Sequence, residues 1–393
     1  MAMARTTLNP FRCSGTPLPV PVLLMAKLLT LCILLSLEWK SFPDPFLPFI
    51  PALGYLAIGS LFRWSLKIIF LTAATALLFN RYVRAACLAI AFVFLTGILS
   101  SRIYFENNRT FAGCLFLLAG LTDTDRAPWL LRCQVILLYV SAGTNKLFDA
   151  GWRSGLFFAT WGRQFIKESL YFRVGAWLPD LALAKIFSWS AIGTELSLPA
   201  ILLYRRSRTT AVWIGILFHT GLLFLTGRTF GLFYFAALVS YLSFLEWPRS
   251  VHVLYDGDCG FCESTRRFFE AITVEPIAEW RPFQAATELF GISEEALAKR
   301  IHVIVDNKIY SGFTAIKMLL LYNPFVYFVI AAILAVPEPD AFPYRRWLAI
   351  GLWATFTPFF DPVGQYIYDA VAHNRRRLSH NTGQVCGRIR SLD

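Results

Sequence analysis

The chain has 393 residues, of which 56% are hydrophobic and 16% charged, and its mean hydropathy is +0.53. It carries 37 Lys/Arg against 25 Asp/Glu, a formal net charge of +12. Such a composition excludes an ordinary soluble basic protein, and the position of the charge argues against a nucleic-acid partner. Residues 1–249 hold 23 basic and 10 acidic side chains, net +13, whereas residues 250–393 hold 14 and 15, net −1.

In chain order, apolar runs occur at 20–37, 46–62, 65–79, 85–101, 110–121, 130–148, 186–204, 211–227 and 229–245. Crossing a bilayer takes about 20 mostly apolar residues, so eight or nine transmembrane helices are expected. Segment 110–121 is short for a span, and Pro48 and Pro51 would kink the second run near its start. The first run contains Lys27 and has no small-x-small cleavage pattern before Glu38 and Trp39, which favours a retained anchor over a signal peptide. Basic residues fall between runs, most clearly Arg205, Arg206 and Arg208. The positive-inside bias places those three in the cytoplasm. Two further crossings then put the segment after Trp247 in the cytoplasm as well, on a multi-pass protein of the cell membrane.

Ionisable residues inside spans are costly and are candidates for function. Lys146 ends one run, Glu195 lies within SAIGTELSLPAILLY, and His219 is central in WIGILFHTGLLFL. Buried together, the three would make a proton-transfer site in which a desolvated Lys serves as a base. Alternatively, Lys146 snorkels to the interface while Glu195 and His219 bond helices to one another.

Composition changes at about residue 250. The strand VHVLYD precedes an amphipathic helix from about Phe261 to Ile272 and a short strand around Glu279 to Phe283. Ser293 caps a short helix with Glu294 and Glu295 in its first turn. RIHVIVDNKIYSG then reads as a hairpin turning at Asp306, Asn307 and Lys308, and another helix begins near Thr314. Phe325–Val336 and Trp347–Phe360 are apolar but short for spans, and suit helices packed on the soluble unit or lying against the membrane. A basic cluster, Arg375, Arg376 and Arg377, reads as solvated or lipid-facing.

Of eight cysteines, only Cys259 and Cys262 are close, forming Cys-Gly-Phe-Cys between a strand and a helix. At a helix N-terminus, unpaired N–H groups and the dipole favour a thiolate. A cysteine one turn further along can attack the mixed disulfide formed by the first and release the product. Cys259 is therefore the expected nucleophile and Cys262 the resolving thiol. Asp256 or Asp258 lies within reach to accept or donate a proton. A structural zinc site needs four ligands. No second CxxC exists, and Cys386, His380 and His302 are badly spaced to complete one, so no metal is expected. An inert structural thiol pair is the other alternative.

VLYDGDCGFC, the segment VIVDNKIYSGFTAI and the terminal YIYDAVAHNRRRLS with its following Cys resemble the DCC family of thiol-disulfide oxidoreductases, also called DUF393, over about residues 250–388. The Asp-x-x-Cys-x-x-Cys motif of that family is matched by Asp256, Cys259 and Cys262. The resemblance implies a thioredoxin-like domain with disulfide reductase activity. YVSAGTNKLFDAGWRSG, ELSLPAILL and FHTGLLFLTGRTFGLFYFAALVSYLSFL are similar to the HTTM domain, a membrane module related to vitamin K-dependent γ-glutamyl carboxylase, over roughly residues 20–247. By that resemblance Lys146 falls where the carboxylases place their deprotonating lysine, and a quinone or other lipid-soluble redox partner would bind the membrane domain.

The fold expected is a multi-pass α-helical membrane domain followed by a thioredoxin-like α/β domain. An N-terminal segment covers 1–19, the HTTM-like domain 20–247 and the DCC domain 250–388. The function expected is a membrane-bound thiol-disulfide oxidoreductase whose dithiol needs no cofactor, with the bilayer and a thiol or disulfide substrate as partners. A carboxylase-related enzyme acting through Lys146 and a non-enzymatic membrane scaffold are the alternatives.

Overall fold

The computed structural model describes residues 9–43, 59–123, 126–166, 169–226, 231–273, 278–286, 290–336, 351 and 355–379. Most of the expected second span, half of 347–360, and Cys386 lie outside these residues. The chain divides into two compact units, one comprising essentially Cys13–Glu246 and the other Trp247–Leu334 with the C-terminal helix.

The larger unit is helical. Its apolar runs form α1 (Val20–Leu35), α2 (Gly59–Leu78), α3 (Val83–Ser100), α4 (Asn107–Leu121) and α5 (Trp129–Phe148), then α9 (Ala182–Leu203), α10 (Arg208–Thr226) and α11 (Gly231–Ser240). Between them lie α6 (Ala150–Ser154), α7 (Leu156–Phe165) and α8 (Ser169–Gly175). The expected runs pass over these three because each is short and interrupted by polar residues. Aromatic packing secures α7 instead, with Phe158 stacked on Phe187 of α9 at 5.5 Å between ring centroids.

By length and composition, three helices can cross a membrane, α2 from Ser60 onward, α3 and α9, among the described residues. Helices α1 and Gly231–Phe244 are apolar but shorter. Large apolar side chains on the outer faces stay uncovered, Ile68 of α2 at 61% exposure and Phe92 of α3 at 57%. Such surfaces are compatible with a membrane and ill suited to water. Lys27, fully buried on α1, donates from Nζ to the carbonyl of Leu78 at 2.8 Å. A cation thereby meets the negative C-terminal end of α2.

In the smaller unit β1 (Val251–Tyr255) leads into α12 (Gly260–Ile272), followed by β2 (Glu279–Pro282), α13 (Glu294–Lys299), β3 (His302–Val305) and β4 (Lys308–Ser311). Helices α14 (Phe313–Leu321), α15 (Pro324–Ala335) and α16 (Asp361–Ser379) complete it. A 75° bend separates α14 from α15, and the pair counts as a fourth candidate span if read as one broken segment. The strands form a mixed sheet in the order β2-β1-β3-β4, with β1 parallel to β2 and antiparallel to β3. This arrangement is compatible with the expected thioredoxin-like domain.

Alternation along the central strands sets the layers. Val251 and Val253 of β1 join Val303 and Val305 of β3 in one core with Phe269 of α12 and Leu319 of α14. Leu254 and Ile304 point the other way and pack with Leu297 of α13. The hairpin turns on Asp306 and Asn307, both at positive φ (44° and 69°), which these residue types tolerate in a two-residue turn. Lys308, expected in the turn, opens β4 instead. The Ser293 hydroxyl accepts the Ala296 N–H at 3.3 Å, capping α13.

Candidate functional site

The dithiol stands where β1 hands over to α12. Cys259 is the N-cap residue of that helix, with an extended backbone (φ −101°, ψ 110°), and Cys262 lies in its first turn. Cys259 is fully buried, whereas Cys262 is half-buried. Burial therefore runs opposite to the order in which the sequence assigns attack and resolution. The Cys262 thiol is pushed well above the ordinary thiol range, first by its hydrogen bond with Cys259, then by burial and by the charge on Cys259. Asp256 adds to the rise and the Arg375 guanidinium opposes it.

Of the two carboxylates expected near the thiols, Asp256 is the more enclosed, its side chain 12% exposed. Its Oδ1 accepts the Asp258 N–H at 3.1 Å and the Gln284 amide at 2.7 Å. Gln284 also accepts the Gly257 N–H at 3.0 Å, so this single side chain after β2 stitches the turn that carries Asp256. Asp258 is exposed and receives a long contact from Gln284, at 3.4 Å. Asp256 is among the charges acting on Cys262.

Two residues of α16 complete the surroundings. Tyr368 accepts the Ile301 N–H at 3.0 Å, and burial, first among several causes that include the Cys262 charge, raises its phenol. Arg375 has a side chain only 20% exposed and places a guanidinium nitrogen 4.0 Å from Asp256 Oδ2. The reading of Arg375 as part of a solvated cluster is thereby corrected. Its guanidinium also donates to the Ala298 carbonyl, so the side chain is drawn into the domain. Gln284, Tyr368 and Arg375 carry no spacing signal that ties them to the CxxC. Among the described residues no group of three His, Cys, Asp or Glu side chains is placed to hold a metal ion.

In the larger unit the expected trio divides. Lys146, in the last turn of α5, donates to both oxygens of Glu195 on α9 at 2.8 and 2.6 Å and lies 5.0 Å from the Trp152 ring centroid. Glu195 and His219 are buried, at 7% and 2% exposure. His219 pairs elsewhere, its Nε2 lying 2.5 Å from the Tyr139 hydroxyl, which also bonds the Tyr241 hydroxyl. Tyr139 precedes Lys146 by two turns of α5 and so shares its face, a spacing visible in the sequence. Tyr241 reaches this spot because position 215 is glycine. A Cβ there would come 1.9 Å from the Tyr241 hydroxyl oxygen.

A cysteine at the N-cap of a helix and a second in its first turn, shortly after a strand, form the arrangement that thiol-disulfide chemistry uses. Residues 253–350 match the family model of the DCC1-like thiol-disulfide oxidoreductases. The matched stretch contains the whole Asp256–Cys262 motif and ends before α16; it does not reach the segment likened to HTTM. No curated protein and no solved structure matches the chain.

Proposed function

We propose that this protein is a membrane-held thiol-disulfide oxidoreductase of the protein-disulfide reductase type, with Cys259 and Cys262 cycling between dithiol and disulfide. The observation that carries this reading is the hydrogen-bonded sulfur pair at the N-cap of α12, within a stretch matching a family of that activity. In the reducing direction the Cys259 thiolate attacks one sulfur of a protein or small-molecule disulfide. A mixed disulfide forms and the other substrate sulfur leaves as a thiolate. Cys262 then gives up its proton, with Asp256 as the nearby acceptor, and attacks the Cys259 sulfur, releasing the second substrate thiolate. Two electrons pass to the substrate, which takes up two protons and departs as two thiols. A thiol donor reverses the exchange and restores the dithiol.

Electrostatics and access favour different sulfurs for the first attack. The N-cap position and the proton held on Cys262 favour Cys259 as the thiolate, while burial favours Cys262 as the sulfur met first. We assign the attack to Cys259, which requires the site to open around it. Trapping with a disulfide substrate tests the order. Cys262→Ser should accumulate a stable mixed disulfide on Cys259, and accumulation on Cys262 in Cys259→Ser instead reverses the assignment.

For the larger unit, the apolar outer faces and the three span-length helices support several crossings of the cell membrane; the positive-inside bias at Arg205, Arg206 and Arg208 is the support for a cytoplasmic C-terminal unit. A second reading rests on the pairing of half-buried Lys146 with buried Glu195. By its likeness to HTTM, this unit would act on a quinone or another lipid-soluble substrate through Lys146. Full turnover of such a substrate by Lys146→Ala would remove that reading.

A further inference from the structure

Helix α16 lies outside the residues that match the family, yet it is fixed to the dithiol-bearing domain along its length. Asp361 pairs with Lys317 of α14. Gln365 accepts the Phe313 N–H at 3.1 Å, and Asp369 meets Arg300 at 3.0 Å. Gly364 allows close contact with the Phe313 ring, which a Cβ would approach to 2.3 Å. Pinned at successive turns, α16 delivers Arg375, at its far end, to the Asp256 carboxylate.

From this placement we infer that Arg375 is a positioning residue for the dithiol, holding the Asp256 carboxylate and supplying the positive charge that makes the sulfur pair ionise in the working pH range. The inference rests on the redox reading of Cys259 and Cys262. Asp256 and Asp258 precede the CxxC and Glu263 follows it, with no Lys or Arg nearer in sequence than Arg266; an unopposed Asp256 would disfavour a thiolate beside it. The charged and titratable groups around Cys262 come from three sides. Cys259 is on α12 itself, Asp256 is in the turn after β1, and Arg375 with Tyr368 comes from α16. Glu263, the next acid on α12, is engaged by Arg266 and Arg267 at 2.6 and 3.1 Å. Arg375 is thus the cation aimed at this site. Its second tie, to the Ala298 carbonyl, keeps it from following the carboxylate into solvent.

The test is the pH profile of alkylation of the reduced dithiol by iodoacetamide in the full-length protein. In Arg375→Gln the midpoint should move up by about one pH unit, the size expected for loss of an adjacent opposite charge. Arg375→Lys should restore most of the shift, which a packing role would not predict. Asp256→Asn should move the midpoint down by a similar amount. An unmoved midpoint in folded Arg375→Gln overturns the inference. If that variant does not fold, Asp256→Asn decides, and an unmoved midpoint there overturns it equally. A wild-type protein that never forms the Cys259–Cys262 disulfide defeats the redox reading itself, whereas a redox-active dithiol with unmoved midpoints defeats only the role of Arg375.

Discussion

The dithiol and the Lys146–Glu195 pair bring reactive side chains together in opposite ways. Cys259 and Cys262 meet because one helical turn separates them, so the motif builds its own geometry once α12 forms. Lys146 and Glu195 are 49 residues apart and meet only because α5 packs on α9. The first arrangement depends on local structure with long-range tuning, while the second consists of long-range packing alone. Arg375 gives the dithiol a share of the second kind, since its position depends on how α16 docks.

The largest effect that would sharpen this contrast is expected at the sulfurs. Cys259→Ser should abolish disulfide exchange while leaving the thermal unfolding of the domain nearly unchanged, measured by insulin reduction and by circular dichroism on the same sample. Lys146→Met should leave dithiol chemistry intact but destabilise the larger unit by about 3 kcal/mol, the cost of stranding a buried partner charge. Adding Glu195→Gln should recover much of that loss, which a double-mutant cycle of unfolding in detergent would read. Gly364→Ala forces a Cβ against Phe313; it should cost about 1–3 kcal/mol by overpacking and, as α16 is pushed off and Arg375 withdrawn, move the alkylation midpoint of the dithiol up.

The smallest expected effect is at Glu263, which Arg266 holds down at about 2 from the ordinary 4.5. A carboxyl depressed in the folded state stabilises fully above its unfolded value and loses that contribution as pH falls through the folded value. Between pH 4.5 and pH 2 the wild type should therefore lose more thermal stability than Glu263→Gln. Equal slopes in the two proteins would contradict the pairing.

What the sequence made legible follows the same division. Strands β1 to β4 and helices α12 to α14 were readable because alternation, the Ser293 cap and the Asp306-Asn307 turn are written in adjacent residues. The apolar runs likewise mark helices α1 to α5 and α9 to α11, but hydropathy gives no rule for the short α6 to α8, which aromatic packing holds. At the dithiol the sequence supplied the cysteines and Asp256. It did not supply Gln284, which follows β2, or Tyr368 and Arg375, which arrive together on α16. In the larger unit it supplied Lys146, Glu195 and His219 as candidates but did not show that His219 pairs with Tyr139 and Tyr241. Contacts of that kind depend on helix rotation and on a missing Cβ at Gly215, neither of which periodicity reports.

The central claim is that Cys259 and Cys262 form a redox couple. Equilibrating the purified full-length protein with glutathione mixtures of defined ratio, then trapping free thiols and identifying the linked peptides by mass, tests it most directly. One two-electron transition is expected, about 30 mV per tenfold change in the ratio of dithiol to disulfide, ending in a Cys259–Cys262 disulfide. Two thiols that are alkylated independently at every ratio, with no linked peptide, would contradict it.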